Sequence, residues 1–164
     1  MKKLPENSEE FLKESNAIEG VYDEASLQQA LYAWEYLLSE SLLSSRVVCK
    51  THKILMLHQP MRPDEKGYFR KIEVRIAGRL GCPHTLVKEA MKIWCRDAMT
   101  SVAIPGANGI RIKHDHISYE QIHPFADGNG RTGRMFMNWQ RLRSGLPILV
   151  IKARSRQTYY QWFK

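Results

Sequence analysis

Hydrophobic residues recur along most of this chain at the three- and four-residue spacing of an α-helix. The clearest stripe comprises Leu27, Ala30, Leu31, Trp34, Leu37 and Leu38. Similar spacing predicts further helices over 8–19, from Val47 to Pro60, after Pro83, over 110–122, from Met135 to Gly145, and a short one from Ser155. Because these segments make up most of the chain, the pattern predicts a mainly helical fold.

Polar residues at helix ends refine two of these boundaries. We expect Ser8 to cap the first helix and Gly20 to stop it. Ser26 and Gln29 have the spacing of a capping box, which places the start of the second helix at Ser26.

Residues 71–76 depart from helical spacing. Apolar and charged side chains alternate there, with the period of a β-strand, in the order Lys71, Ile72, Glu73, Val74, Arg75 and Ile76. Gly78 and Gly81 follow and predict a turn, so we expect a small β-hairpin. The predicted fold class is therefore all-α with one hairpin, in a single domain over 1–164.

The composition excludes several classes of protein. With 164 residues, of which 43% are hydrophobic and 26% charged, the chain is typical of one globular domain rather than of disorder. No apolar run reaches the roughly 20 residues of a membrane span, and no signal peptide follows the two initial lysines. The three cysteines form no CxxC pair, so we expect a reducing, cytoplasmic location.

The net charge of +8 is unevenly distributed. Residues 1–40 carry three basic and nine acidic residues, a net charge of −6, whereas the other 124 residues carry 22 basic and 8 acidic residues, a net charge of +14. Three interpretations remain open: a solvated basic face, a nucleic-acid-binding surface, or docking of the acidic N-terminal segment on the basic C-terminal half.

The segment 123–134 holds the residues best suited to chemistry, and it reads HPFADGNGRTGR. Gly128, Asn129 and Gly130 lie between two predicted helices, where a glycine turn can direct its N–H groups at a phosphate. Arg131 and Arg134 would oppose the dipole of the following helix unless anionic oxygens lie in front of them.

Two further side chains of this segment complete a candidate active site. Asp127 is a lone carboxylate beside the turn, which suits Mg²⁺ because this ion fills most of its shell with water and phosphate oxygens. His123 precedes the turn, and an imidazole is a natural general base for a hydroxyl nucleophile. Together these residues indicate transfer from a nucleoside polyphosphate.

The same segment resembles the HxFx(D/E)GNGRxxR motif of the Fic (Fic/Doc) family and matches it at every fixed position. The resemblance extends over roughly residues 8–163 and implies a helical core with a β-hairpin flap. It also implies transfer of AMP from ATP to a Tyr, Thr or Ser hydroxyl of a target protein. In that reaction His123 would be the base, Asp127 would bind Mg²⁺, and the remaining motif residues would hold the phosphates: Gly128, Asn129 and Gly130 the α- and β-phosphates, Arg131 the phosphates generally and Arg134 the γ-phosphate.

Two other segments gain a meaning from this resemblance. Ser15 and Glu19 lie in an SxxxEG sequence, which is similar to the inhibitory helix of the family, so residues 8–20 are a candidate inhibitory helix in which Glu19 pairs with Arg134. The hairpin residues are expected to form a flap that docks an extended target segment, through Ile72, Glu73, Val74, Arg75 and Ile76.

Alternative functions remain. The same fold could act as a phosphotransferase, transfer another nucleotide or remove AMP, and a non-catalytic toxin-partner or nucleic-acid-binding module is a different class. We expect no nucleic-acid substrate, since the chain lacks interleaved aromatic and basic residues and a recognition-helix motif. His114, His116 and His123 do not form a zinc motif with a second ligand group. Homo-oligomerisation stays open.

Overall fold

The computed structural model describes residues 3–76, 78–104 and 109–164, and the predicted loop at 105–109 lies almost entirely outside them. The α-helices are α1 Ser8–Ile18, α2 Glu24–Ser39, α3 Ser45–Leu55, α4 Val87–Ala103, α5 Gly109–Ile122, α6 Asn129–Arg143 and α7 Arg156–Tyr160. Single 3₁₀ turns span His84–Leu86, Ala153–Ser155 and Gln161–Phe163, and the strands are β1 Arg75–Ile76 and β2 Arg79–Leu80. The prediction of a helical fold with one hairpin is confirmed.

Helix α6 lies at the centre of the fold. Every residue from Arg131 to Gln140 is buried, and the helix packs against α1 to α5. Its apolar residues Met135, Phe136 and Trp139 fill one side of the helix, while buried polar residues such as Gln140 are hydrogen-bonded to neighbouring elements. The central position of α6 matters for function because its first turn carries the glycine-rich segment.

The predicted cap of α1 and the predicted start of α2 are wrong. Asn7 occupies the N-cap position of α1, and the Ser8 hydroxyl instead accepts a hydrogen bond from Trp34 Nε1 at 3.0 Å. Helix α2 begins at Glu24 because Asp23 is its cap: the Asp23 carboxylate accepts the Ser26 N–H at 2.8 Å. In α2 Asp23 makes the capping contact that the local motif had assigned to Ser26, whereas α1 has no side-chain capping hydrogen bond.

The C-terminal end predicted for the third helix is also wrong. Helix α3 ends at Leu55, five residues before Pro60, with Met56 as its C-cap. Residues 56–58 continue as a turn rather than as helix, so the apolar spacing persists beyond the hydrogen-bonded helix.

The hairpin is shorter than its alternating pattern predicts. Among the described residues the strand pairing comprises Arg75 opposite Leu80 and Ile76 opposite Arg79, with one further hydrogen bond from the Gly81 N–H to the Val74 carbonyl at 3.0 Å; residue 77, in the turn, lies outside the described residues. Ile72 is 58% exposed, so the apolar side of the segment does not cover the core at that position. The carbonyl of Ile72 is bound by a buried arginine instead of a neighbouring strand, which ends the pairing.

Within the described part of the chain, no helix is both long and apolar enough to span a membrane.

Candidate active site

The segment from His123 to Gly128 forms the turn between α5 and α6. His123 has a φ of 50° and Gly128 a φ of 78°, so the backbone reverses through the left-handed region at both ends of the turn. The Asn129 side chain closes the turn, because its Oδ1 accepts the Phe125 N–H at 2.8 Å and its Nδ2 donates to the Phe125 carbonyl at 2.9 Å. The Asn129 amide is thereby engaged within the loop, and its main-chain N–H is the group that could reach a phosphate.

His52 supports this turn from α3 and was not singled out by the sequence. The Gly67 N–H donates to His52 Nδ1 at 2.9 Å, so the ring hydrogen is on Nε2 and donates to the Asp127 carbonyl at 2.9 Å. The ring also stacks on Phe125 with centroids 3.7 Å apart. Burial lowers the pKa of His52 to about 4, which keeps the ring neutral and preserves this arrangement near pH 7.

His123 is oriented as a base. Its Nδ1 lies 3.3 Å from the Glu120 carbonyl, a group that can only accept, so Nδ1 carries the hydrogen and Nε2 has a free lone pair. Burial lowers the pKa of His123 below its ordinary value of 6.5. The ring is therefore predominantly neutral at pH 7 and able to accept a proton.

Most of the predicted catalytic and phosphate-binding residues surround one small cavity of about 140 Å³. Its lining comprises Glu19, His123, Ala126, Asp127, Gly128, Asn129, Gly130 and Arg131. This volume is below the roughly 300–1,000 Å³ of pockets that enclose small molecules. The structure thus brings together the predicted base, the predicted metal ligand, the glycine turn and one arginine, with a carboxylate from α1 among them.

Asp127 has the exposure and position of a metal ligand. Its side chain is 68% exposed, and its Oδ1 accepts the Gly128 N–H at 2.6 Å. A single exposed carboxylate beside a phosphate-binding turn fits Mg²⁺, which completes its shell with water and phosphate oxygens. No group of three or more metal-ligating side chains occurs among the described residues, so an all-protein metal cage is not what this arrangement offers.

Arg131 is a buried cation whose charge is poorly balanced. Its side chain is 4% exposed, its Nε has no hydrogen-bond partner within the described structure, and its Nη2 donates to Met56 Sδ at 3.4 Å. The nearest carboxylate, Asp127, is 3.8 Å away. A buried guanidinium in this state favours an anion in the cavity that it lines.

Arg134 lies beneath α1 rather than in the cavity. Its Nε donates to the Ser15 hydroxyl at 2.8 Å, and its Nη2 donates to the Ser15 carbonyl at 2.9 Å and to Glu19 Oε1 at 2.7 Å. Its Nη1 donates to the Tyr159 hydroxyl at 3.2 Å. The predicted Glu19–Arg134 pair is present, and Ser15 binds Arg134 directly.

Glu19 also closes over the first turn of α6. A Cβ atom added to Gly130 would collide with Glu19 Oε1, so the carboxylate lies directly against the turn and would have to move aside for any larger residue. The oxygen therefore lies where an anion bound to the turn would lie.

The C-terminal segment holds α1 in this position. Lys152 forms ion pairs with Glu10 and Glu14, and the Ala153 N–H donates to Glu14 at 2.7 Å. The interpretation of the charge asymmetry as docking of the acidic N-terminal segment on the basic C-terminal half is confirmed by these contacts.

Glu120 is a buried carboxylate behind the base that the sequence did not indicate. Its side chain is 12% exposed, its Oε2 lies 4.0 Å from His123 Nδ1, and its Oε1 has no hydrogen-bond partner in the described structure. Burial raises its pKa to about 7. It adds a titratable group to the site.

The predicted flap lies beside the site on the other side of Ala126. A second cavity of about 130 Å³ has Ala126 in its wall together with Tyr68, Phe69 and Ile72. Glu73 is held by His84, whose Nδ1 is 2.6 Å from the carboxylate. The other flap residues that the sequence indicated, Val74, Arg75 and Ile76, are half-buried or exposed.

Known proteins share this sequence pattern. A family model described as "Fic/DOC family" matches residues 42–140. The protein adenylyltransferase Fic of Drosophila mojavensis is 28% identical over 146 residues, which are 87% of this chain and 26% of that protein. The protein of the same name from Drosophila melanogaster is 30% identical over 120 residues, 71% of this chain and 23% of that protein. This chain thus spans about a quarter of the length of these curated relatives.

Solved structures share the fold. A fragment of Fic-1 from C. elegans superposes with a TM-score of 0.79 at 22% identity, covering 98% of this chain and 55% of that one. A Fic domain containing signaling protein from Bacteroides thetaiotaomicron gives a TM-score of 0.75 at 18% identity, covering 94% and 69%. The family model covers more than half of the chain and includes the whole 123–134 segment, and we conclude that this chain belongs to the Fic/DOC family.

Proposed function

We propose that this chain catalyses the transfer of AMP from ATP to a hydroxyl side chain of a target protein. The observation that carries the proposal is the cavity in which a buried, underneutralised Arg131 and a glycine turn face His123. An anion site next to a neutral imidazole suits attack of a hydroxyl on a bound phosphate. The curated relatives named protein adenylyltransferase support AMP as the group transferred.

The reaction is an in-line displacement at the α-phosphorus of ATP. The target oxygen forms a bond to the α-phosphorus, the bond from this phosphorus to the bridging oxygen of the β-phosphate breaks, and pyrophosphate leaves. His123 Nε2 takes the proton of the attacking hydroxyl, which contributes about 10²–10⁴-fold to the rate for a typical general base. The N–H groups of the first turn of α6 and the Arg131 guanidinium stabilise the charge on the phosphate oxygens.

Asp127 is the residue that would hold Mg²⁺ in this reaction. When bound, the ion would neutralise charge on the phosphates. The Asp127 main chain is already fixed by the hydrogen bond from His52, so the carboxylate is presented from a rigid turn.

The N-terminal helix is proposed to inhibit this reaction. With Glu19 bound to Arg134 and placed over Gly130, Arg134 is not available to the γ-phosphate. ATP could still enter the rest of the turn, but its α-phosphorus would be displaced from the line of attack. A misplacement of about 1 Å can cost roughly 10²-fold in rate.

The flap segment 72–76 is proposed to align the target. Its exposed edge lies next to a cavity that shares Ala126 with the phosphate cavity, so an extended target segment paired with the flap would pass the base. The target hydroxyl belongs to a Tyr, Thr or Ser residue.

Transfer of label from ATP tests the proposal. We would incubate the Glu19→Gly variant with lysate and Mg²⁺, using ATP labelled at either the α- or the γ-phosphate. Label from the α-position on protein is the expected result, whereas label from the γ-position alone would identify a phosphotransferase.

Variants of two histidines provide the matched control. His123→Ala in the same background should lose transfer and keep ATP binding, because the glycine turn and the arginines are retained. His114→Ala removes an exposed histidine of α5 and should leave both unchanged. Full transfer by the His123 variant would rule out the proposed base.

A further inference from the structure

Arg70 is a buried arginine that the catalytic scheme does not use. It immediately precedes the flap, and its side chain is 0% exposed. The nearest carboxylate is Glu73, at 3.9 Å from Nη1, and Glu73 is itself bound to His84. Because a buried guanidinium is costly unless its donors are satisfied, the partners of Arg70 show what its burial secures.

One set of partners is the end of α5, where the base is located. Arg70 Nε donates to the His123 carbonyl at 2.7 Å, and Nη2 donates to the Ile122 carbonyl at 3.1 Å. The Arg70 main-chain N–H donates to the Pro124 carbonyl at 2.9 Å. A cation is well placed there, since the C-terminal end of a helix presents unpaired carbonyls and a partial negative charge.

The other set of partners lies at the two ends of the flap. Arg70 Nη1 donates to the Ile72 carbonyl at 2.7 Å, where the chain enters the flap. Nη2 donates to the Cys82 carbonyl, where the chain leaves it. The flap therefore cannot hinge at either end without losing a bond to the same guanidinium that holds the base.

We propose that Arg70 is a positioning residue that fixes the distance between the target-docking flap and the catalytic base. This inference rests on the proposed AMP transfer. The target hydroxyl is aligned by the flap and its proton is taken by His123, so an error in their separation enters directly into the geometry of attack. Arg70 does not line the phosphate cavity and reaches the site only through main-chain carbonyls at the end of α5 and the start of the turn, which separates its role from binding ATP.

The backbone of His123 makes this support necessary. Its φ of 50° lies in the left-handed region, which a non-glycine residue adopts only when its surroundings hold it there. Arg70 binds the carbonyl of His123 and that of the next residue, Pro124, and so fixes the peptide that follows the strained residue. Lysine cannot replace it, because one ammonium lacks the planar fork that reaches four carbonyls.

The charge of Arg70 also acts on the base. Four charged groups face His123: Glu120 on α5, Glu19 on α1, Asp127 in the turn and Arg70 from the flap side. Burial is the largest cause of the lowered pKa of His123, and the positive charge of Arg70 lowers this pKa further. Removing the charge of Arg70 should raise the pKa of His123, whereas replacing the guanidinium by another cation should leave this pKa unchanged.

The test compares Arg70→Lys and Arg70→Met in the Glu19→Gly background. Rates are measured with α-labelled ATP and expressed per ATP-binding site, so that a smaller folded fraction cancels. We expect Arg70→Lys to lose at least tenfold in kcat with the KM for ATP changed by less than about threefold. Arg96→Lys, an exposed arginine of α4, is the matched control and should retain the background rate.

The pH profile distinguishes positioning from a merely structural role. The acidic limb of kcat/KM should stay in place in Arg70→Lys and move to higher pH in Arg70→Met. The inference would be overturned if Arg70→Lys transferred AMP, per ATP-binding site, as fast as the Glu19→Gly background. It would also be overturned if the acidic limb of kcat/KM did not move in Arg70→Met. A Glu19→Gly background that transfers no label from ATP would instead overturn the proposed function.

Discussion

Replacement of Glu19 by glycine tests the inhibitory contact most directly. Glu19 is the C-cap residue of α1 and lies just beyond its last helical residue, so glycine there does not interrupt the helix. The substitution removes the 2.7 Å hydrogen bond to Arg134 Nη2 and frees the space above Gly130. The Ser15 contacts to Arg134 remain, so α1 loses one of its three bonds to this arginine.

The size of the effect follows from the lost bond. A hydrogen bond between charged groups is worth about 1.5–3 kcal/mol. We take the lower half of that range, about 1.5–2 kcal/mol, because the Glu19 side chain is 35% exposed and is partly screened by solvent. Since about 1.4 kcal/mol changes an equilibrium tenfold, the population with Arg134 released should rise by about 10–30-fold. AMP transfer should rise by the same factor.

Self-labelling with α-labelled ATP, at folded concentrations matched by circular dichroism, measures this rise. Ser15→Ala should activate less, about fivefold or below, because the Ser15 carbonyl still accepts from Arg134. Glu9→Gly is the control: it weakens α1 by helix propensity, about 1 kcal/mol, without touching Arg134. An unchanged rate in Glu19→Gly, or equal activation by Glu9→Gly, would refute a specific role of the Glu19 carboxylate.

Three further predictions concern the turn and the buried carboxylate behind it. Asp127→Ala should weaken nucleotide binding in Mg²⁺ more than in EDTA, as measured by calorimetry; equal losses would leave Asp127 a structural role only. Asn129→Ala should lower the free energy of unfolding by about 2–4 kcal/mol in urea titrations, because the buried N–H and C=O of Phe125 lose their partner. The pKa of Glu120 is raised from 4.5 to about 7, so the folded state binds more protons than the unfolded state between these values and stability falls as pH rises through them. The free energy of unfolding of Glu120→Gln, measured relative to that of the wild type, should therefore be about 3 kcal/mol higher at pH 8 than at pH 4. A difference between the two proteins that does not vary with pH would contradict this account.

The sequence was most informative where one short segment contains all the interacting groups. The turn 123–130 could be read from local rules, since the proline restricts the backbone while the two glycines and the asparagine permit the left-handed conformations of a tight turn. The helix caps at Ser8 and Ser26 were misassigned, although they too depend on local contacts. The Ser8 hydroxyl accepts a hydrogen bond from Trp34 instead of capping α1, and Asp23 caps α2 in place of Ser26.

Residues that act over long separations were not predictable from local patterns. Arg70 reaches carbonyls 52 and 53 positions away, and His52 binds a carbonyl 75 positions away. Neither residue belongs to a local motif that would identify its partner, and only the packing of α3 and the flap segment against α5 and α6 creates its role. The contact between Glu19 and Arg134, which are 115 positions apart, could be predicted only because the SxxxEG sequence resembles a family motif whose partner residue is known.

Gly130 leaves space above the first turn of α6 for one anionic oxygen, and a carboxylate oxygen of the same chain already occupies it. A phosphate oxygen approaching that position competes with the Glu19 carboxylate, whose effective concentration at the site is set by how firmly α1 is attached. The contacts of Lys152 with α1 contribute to that attachment. Changes at Lys152 would therefore alter the nucleotide concentration at which the site is released, without altering any residue that touches the nucleotide.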